Sequence, residues 1–188
     1  MDEAPFLVGQ YLLSMPGIGD ARFARAMIAI CVHDDDGALG IVANQPIAGL
    51  SVRDLMQRLD VDPGDTPDVP VLAGGPVEPA RGFVLHSTDY AGQSTISVGV
   101  PARWALTSTL DILKDIAAGR GPSRWFAALG YTGWSAGQLD GELLRHGWHN
   151  VTGDPALLFD TPFEQRWPAA FGAAGINVGQ LSATAGRA

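Results

Sequence analysis

Three groups of residues have types and spacings that could do chemistry. Gly133-Trp134-Ser135-Ala136-Gly137 matches the Gly-x-Ser-x-Gly nucleophile elbow, in which a strained strand-to-helix turn presents a serine hydroxyl at a helix N-terminus. Such a serine needs a general base and an acid to orient it, and in α/β-hydrolases both follow it in the chain. Only 51 residues follow Gly137, and His146 and His149 fall at the end of the helix expected after the elbow. With a rise of about 1.5 Å per residue, His146 stands about 16 Å along the axis from Ser135, beyond reach of its proton. His33 or His86 would have to serve from a different topology. The ordinary role of a serine between glycines at a helix start is to cap it.

Cys31 and His33 form the second group. Two apart on a strand they share a face, which suits two zinc ligands or a thiol and its base. No second Cys/His pair stands at usable spacing, since His86 is isolated and His146 and His149 straddle Gly147. The acids Asp34, Asp35 and Asp36 fail as an EF-hand loop: with Gly37 at the sixth position, the first and twelfth are Val32 and Ala43. Cys31 lies inside an apolar run, where burial suppresses the thiolate. Packing is its expected role, and the residues imply no metal and no cofactor.

The third group is glycine-rich. Gly74-Gly75-Pro76 could turn backbone amides toward an anion, but no Lys-Ser/Thr of a phosphate cradle follows a glycine loop here, which leaves a tight turn. Arg81-Gly82-Phe83-Val84 begins like an RNA-binding sheet motif and lacks the second aromatic pair. Trp104, Trp125 and Trp167 each follow an arginine. On a strand such neighbours place the ring inward and the guanidinium outward.

The elements that must position these residues are read from periodicity and punctuation. Gln10 to Met15 is a strand stopped by Pro16-Gly17-Ile18-Gly19. Ala26–His33 and Ala38–Ala43 flank an Asp-Gly turn and form a hairpin; both are nearly continuously apolar, so both faces should be covered. Ser51 caps a helix to about Asp60, with Asp54 in its first turn. The stretch 61–70, with three prolines and three aspartates, is an exposed connection. Strands follow at Val71–Ala73, Gly82–His86, Thr95–Val100 and Arg124–Leu129. Helices are expected from Ser108 to a stop at Gly119, over Ser135–His146, and over Phe163–Gly172. Trp148–Val151 and Ala156–Phe159 read as short extended pieces, and the Ala/Gly-rich tail has no assignment. Hairpins mixed with strand-helix-strand units give an α+β class with a mixed sheet, in one domain.

Composition limits the partners. The 188 residues include 12 Lys+Arg and 20 Asp+Glu, a net charge of −8, which disfavours direct nucleic-acid binding. The acidity is local: residues 1–70 carry 11 acids and 4 bases, residues 71–188 carry 9 and 8. One cysteine excludes an internal disulfide and fits a reducing cytoplasm. The acidic N-terminus does not resemble a signal peptide, and no apolar run approaches the roughly 18 residues of a membrane span.

Several stretches share an order and spacing. They are Tyr11-Leu12-Leu13-Ser14-Met15-Pro16-Gly17 with Asp20 and Phe23; Cys31-Val32-His33 through Gly37-Ala38-Leu39-Gly40 to Asn44-Gln45-Pro46; Gly74-Gly75-Pro76-Val77; Arg81 to His86; and Gly130-Tyr131-Thr132-Gly133-Trp134 leading to Gly137-Gln138-Leu139, Glu142 and Trp148, with a closing Gly186-Arg187-Ala188. Together they resemble the YqgE/AlgH family of bacterial proteins. The resemblance implies a compact α/β-type fold, a mixed and partly barrel-like sheet with flanking helices, and little about activity; one branch is labelled a regulator of transcription. Its loop and strand-end positions suit a binding surface on a rigid scaffold. The expected site comprises Asp20, Asn44, Gly74, Gly75, Arg81, His86, Trp134 and Gln138. Arg81 would grip an acidic ligand, Trp134 would form a wall, and Asn44 and Gln138 would orient it. The expected role is a cytoplasmic regulatory or ligand-binding protein, with a protein partner or a small acidic ligand. The alternative is a small hydrolase using Ser135 or Cys31.

Overall fold

A computed structural model describes residues 6–145 and 147–184, with side chains through 181. His146 and the closing residues 186–188 lie outside the described residues. The first strand, β1 (Gln10–Ser14), leads through the Pro16–Gly19 turn and a single 3-10 turn (Ala21–Phe23) into β2 (Met27–Asp34) and β3 (Gly37–Val42). As the Asp-Gly signal requires, β2 and β3 pair antiparallel, with Asp34 opposite Gly37. They are followed by β4 (Pro46–Ser51), α1 (Val52–Arg58), β5 (Pro70–Ala73), β6 (Val77–His86), β7 (Thr95–Val98), β8 (Trp104–Thr107) and α2 (Asp111–Ala117). The chain closes with β9 (Trp125–Ser135), α3 (Gln138–Leu144), β10 (Trp148–Thr152), α4 (Pro155–Phe159), α5 (Phe163–Ala173) and α6 (Val178–Thr184).

Ten strands among the described residues form one sheet, ordered β10-β1-β2-β3-β9-β6-β8-β7, with β4 beside β5. All pairings are antiparallel except β5 with β9, so the sheet is mixed, and it curls into a half barrel. The spine is β9. Its first half pairs with β6 and β5 and its last four residues with β3, which joins the two halves of the sheet. The connection after α1 returns to the same sheet, because β4 pairs with β5 across it.

Both faces are covered, which explains the continuous apolar runs. Alternation along β2 sends Met27, Ala29 and Cys31 into a cluster with Tyr11, Trp104, Trp167 and Phe171, closed by α4 and α5. Ile28 and Ile30 join Leu12, Trp134, Leu139 and Trp148 on the opposite side, under α3. At the far end, α1 and α2 bury Val52, Met56, Ile112 and Leu113 on Val71, Val84 and Ala127. A fully buried Leu or Ile contributes about 2 kcal/mol.

Several sequence expectations are corrected. Pro46–Ser51 and Trp104–Thr107 are strands, which the sequence reading had not assigned; β6 starts five residues early at Val77, and β9 runs on to Ser135. Ala156–Phe159 lies in helix α4, not in an extended piece: Pro155 sits at its start and the Asp154 carboxylate accepts from the Ala156 amide. Helix α1 has the expected cap, with Ser51 and Asp54 bonding each other's backbone amides as a capping box. Helix α2 does not use Ser108, since Asp111 opens it and the Thr109 hydroxyl donates to the Asp111 carboxylate. The unassigned tail carries α6. No helix among the described residues is long and apolar enough to cross a membrane.

Candidate functional site

The glycines of the expected site serve the fold. A Cβ on Gly75 would stand 2.2 Å from the Tyr131 carbonyl carbon, and one on Gly74 2.3 Å from the Gly130 oxygen. Gly130 itself is left-handed, at φ +78°, and faces the Gly75 oxygen. Here the β5–β6 turn crosses β9 backbone against backbone, as only glycine permits. The Gly74 amide donates to the Leu129 carbonyl at 2.8 Å, so it is not offered to an anion.

Asn44 also works on the backbone: Oδ1 accepts from the Met27 amide at 3.0 Å and Nδ2 donates to the Arg25 carbonyl at 2.7 Å. His86 is fully buried. Its ring bonds the Ser87 carbonyl and the Thr107 hydroxyl, both at 2.8 Å, and burial pushes its pKa below the usual imidazole range. Arg81 lies over the rings of Phe83 and Tyr131 and pairs with Glu78 at 3.4 Å. None of these five lines the cleft that brings the other three together.

Asp20, Trp134 and Gln138 do meet, in a cleft of about 460 Å³ between the 3-10 turn, the end of β9, α3 and the start of β10. Its floor is aromatic. Trp134 is buried, and Phe23 packs edge-on against Trp148 with ring centres 5.6 Å apart. Glu142 holds the floor in place by accepting from the indoles of Trp134 at 2.9 Å and Trp148 at 3.2 Å, and from the Gln138 amide at 3.0 Å. The Gln138 carbonyl oxygen in turn accepts from the Ser135 amide and hydroxyl. At the mouth, Arg22 forks onto Asp20 through Nε at 3.1 Å and Nη2 at 2.8 Å, which holds the Asp20 carboxyl below its usual range. Arg145 projects from α3 with no side-chain partner among the described residues. The Thr132 hydroxyl is buried without a partner among the described residues. Two residues from Trp134, it shares that side chain's face of β9.

Both carboxylates of the cleft therefore accept from donors of the protein, while the Arg145 guanidinium has no side-chain partner among the described residues. Sequence reasoning named the wall and one acid and overlooked the cations. The signal for Arg145 was present, since Gln138, Glu142 and Arg145 at i, i+4 and i+7 share one helix face.

Among the described residues, neither nucleophile candidate is paired with a base. Ser135 ends β9, left-handed Gly137 is the N-cap of α3, and the Ser135 hydroxyl donates to Gln138, so Ser135 is not the N-cap and is paired with no imidazole among the described residues. Burial pushes the Cys31 thiol up to about 12. A register shift between Ile30 and Val32 breaks the simple alternation that put Cys31 and His33 together. His33 instead accepts from the Leu7 amide at 2.9 Å. No group of three metal-binding side chains forms among the described residues. The Arg-Trp pattern holds at Arg103-Trp104 and fails at Arg166-Trp167, which is helical: both are buried, and Arg166 donates to the Thr161 and Ala43 carbonyls.

Residues 11–179 match the family profile described as AlgH-like (DUF179). The chain is 53% identical over 188 residues to a UPF0301 protein of Rhizorhabdus wittichii, with 100% of each covered. It is 51% identical to a UPF0301 protein of Sphingopyxis alaskensis, again with 100% of each covered. The solution structure of the AlgH protein from Pseudomonas aeruginosa superposes with a TM-score of 0.79 at 37% identity, covering 100% of both chains. A Corynebacterium diphtheriae crystal structure shares the fold, with a TM-score of 0.74 at 16% identity over 97% of this chain and 94% of that one. With a profile spanning nearly the whole sequence and full-length relatives more than half identical, the chain belongs to the YqgE/AlgH family.

Proposed function

We propose that this protein is a cytoplasmic binding protein for a small anionic metabolite, a di- or tricarboxylate or a phosphate ester, taken into the cleft between α3 and the 3-10 turn. The observation that carries this reading is the pairing pattern there. Asp20 and Glu142 are occupied by donors of the protein, whereas Arg145 and the Thr132 hydroxyl have no side-chain partner among the described residues. A ligand carboxylate or phosphate supplies acceptors for Arg145, which grips it in fork geometry. The indoles of Trp134 and Trp148, held by Glu142, give a rigid apolar floor, so little ordering cost remains for binding.

A regulatory role follows if occupancy is read by a protein partner. The acidic chain favours such indirect action over DNA contact. Native mass spectrometry of protein purified without denaturation tests the reading, followed by thermal shift with citrate, succinate, glucose 6-phosphate and phosphate. A retained anionic mass, or a Tm that climbs with one of these anions in wild type and not in Arg145→Ala, supports it. Flat Tm curves throughout, with no retained mass, contradict it.

A further inference from the structure

A larger groove lies on the other side of the Met15–Ala24 loop, away from the cleft apart from their shared wall at Ile18 and Asp20. Its volume is about 680 Å³, within the range of small-molecule sites. The walls are apolar: Met15, Pro16 and Ile18 from the loop, Trp167 and Pro168 from α5, and Val178 from α6. Two charged residues line it, Asp20, whose carboxylate is held by Arg22, and Arg25. The Arg25 guanidinium lies 5.0 Å above the Trp167 ring and has no carboxylate or carbonyl partner among the described residues.

Arg25 is held there against its backbone preference. At φ +52° it occupies the left-handed region, which strains a residue other than glycine. Neighbouring side chains hold it in that conformation. Asn44 bridges the Arg25 carbonyl and the Met27 amide, and Gln45 donates to the Ala24 carbonyl at 3.4 Å. The platform is fixed too, since the Trp167 indole N–H donates to the Ser14 carbonyl at 3.0 Å. The nearest acid of the loop, Asp20, is already bound by Arg22. A strained arginine, clamped by two amide side chains over a fixed indole at the end of an apolar groove, is an arrangement for one negative charge attached to an apolar body.

We propose that this groove is a second binding site, for a monocarboxylate carrying an apolar chain. The carboxylate forks onto Arg25, and the chain lies along Met15, Ile18, Pro168 and Val178. A single cation matches a single negative charge, and the apolar walls would penalise a dianion through desolvation. Apart from the shared Ile18 and Asp20, this rests on residues separate from those of the anion cleft.

The test is a titration of the full chain with decanoate, decanol and acetate, read by thermal shift and by the backbone amide and indole N–H resonances. Decanoate is expected to raise Tm and to move the Trp167 indole and the Gly17 and Gly19 amides. Acetate moves nothing, and decanol binds about tenfold more weakly, the loss of one charged contact. Arg25→Gly suits the left-handed backbone and so keeps the fold while removing the charge; it should bind the acid and the alcohol equally. Arg25→Met, which keeps the length, should do the same, and Arg145→Ala should bind decanoate like wild type. Equal affinity of wild type for decanoate and decanol, undiminished decanoate binding by Arg25→Gly, or shifts confined to other regions would each overturn the proposal.

Discussion

At the residue scale, the function of a side chain is set by which of its polar atoms the protein has already used. Glu142 accepts from three donors and so acts on the floor of the cleft. Removing it in Glu142→Ala leaves two indole N–H groups without their acceptor, and the expected loss is about 3 kcal/mol, measured by urea denaturation. His86 is the opposite case, a polar residue absorbed by the core. Its folded pKa lies below its ordinary 6.5, so the unfolded chain takes this proton first. Stability from His86 is therefore complete above pH 6.5 and falls as the pH drops through the window below it. Urea midpoints in that window should fall less steeply for His86→Gln than for wild type, although its stability at neutral pH is lower. Cys31, with its thiol pushed up to about 12, should resist iodoacetamide in the native state and react in urea. Native labelling would contradict its burial.

At the element scale, the glycines separate into two kinds that the sequence alone presents alike. Gly130 and Gly137 are both left-handed, at φ +78° and +71°, but a Cβ on Gly130 meets the Gly75 oxygen at 2.4 Å whereas one on Gly137 meets nothing within 4 Å. Gly137→Ala should cost about 1 kcal/mol of backbone strain. Gly130→Ala adds a clash and should cost about 3 kcal/mol, read as the difference in denaturation midpoints. The elements with strong local signals were legible: the Asp-Gly hairpin, the Ser51 capping box and the helix α5. Those that depend on distant pairing were not. Short β4 and β8 gain their strand state from β5, β6 and β7, and the last half of β9 from β3. The same limit applies to the site. Trp134 and Gln138 could be named because they stand in one local motif, and Asp20 because it belongs to a stretch that carries the family resemblance. That Arg22 and Arg145 face each other's cleft while Arg81 turns to Phe83 is a product of the curled sheet, which periodicity does not encode.

At the scale of the whole molecule, charge and topology point the same way. The acids concentrate in the β2–β3 turn and in the connection after α1, at Asp34, Asp35, Asp36, Asp60, Asp62, Asp65 and Asp68. The cleft and the groove beyond it lie in a part of the fold that these loops do not line, on either side of the Met15–Ala24 loop. A duplex DNA fragment should show no shift in gels even at low salt, where phosphate contacts are strongest. The most direct measurement of the central claim is the set of indole N–H resonances during titration with the anion that most raises Tm. Trp134 and Trp148, whose N–H groups meet at Glu142, should move together and saturably, while Trp104 and Trp125 stay in place and Arg145→Ala abolishes the movement. Stationary Trp134 and Trp148 signals under an anion that stabilises the protein would place the ligand elsewhere and contradict the account.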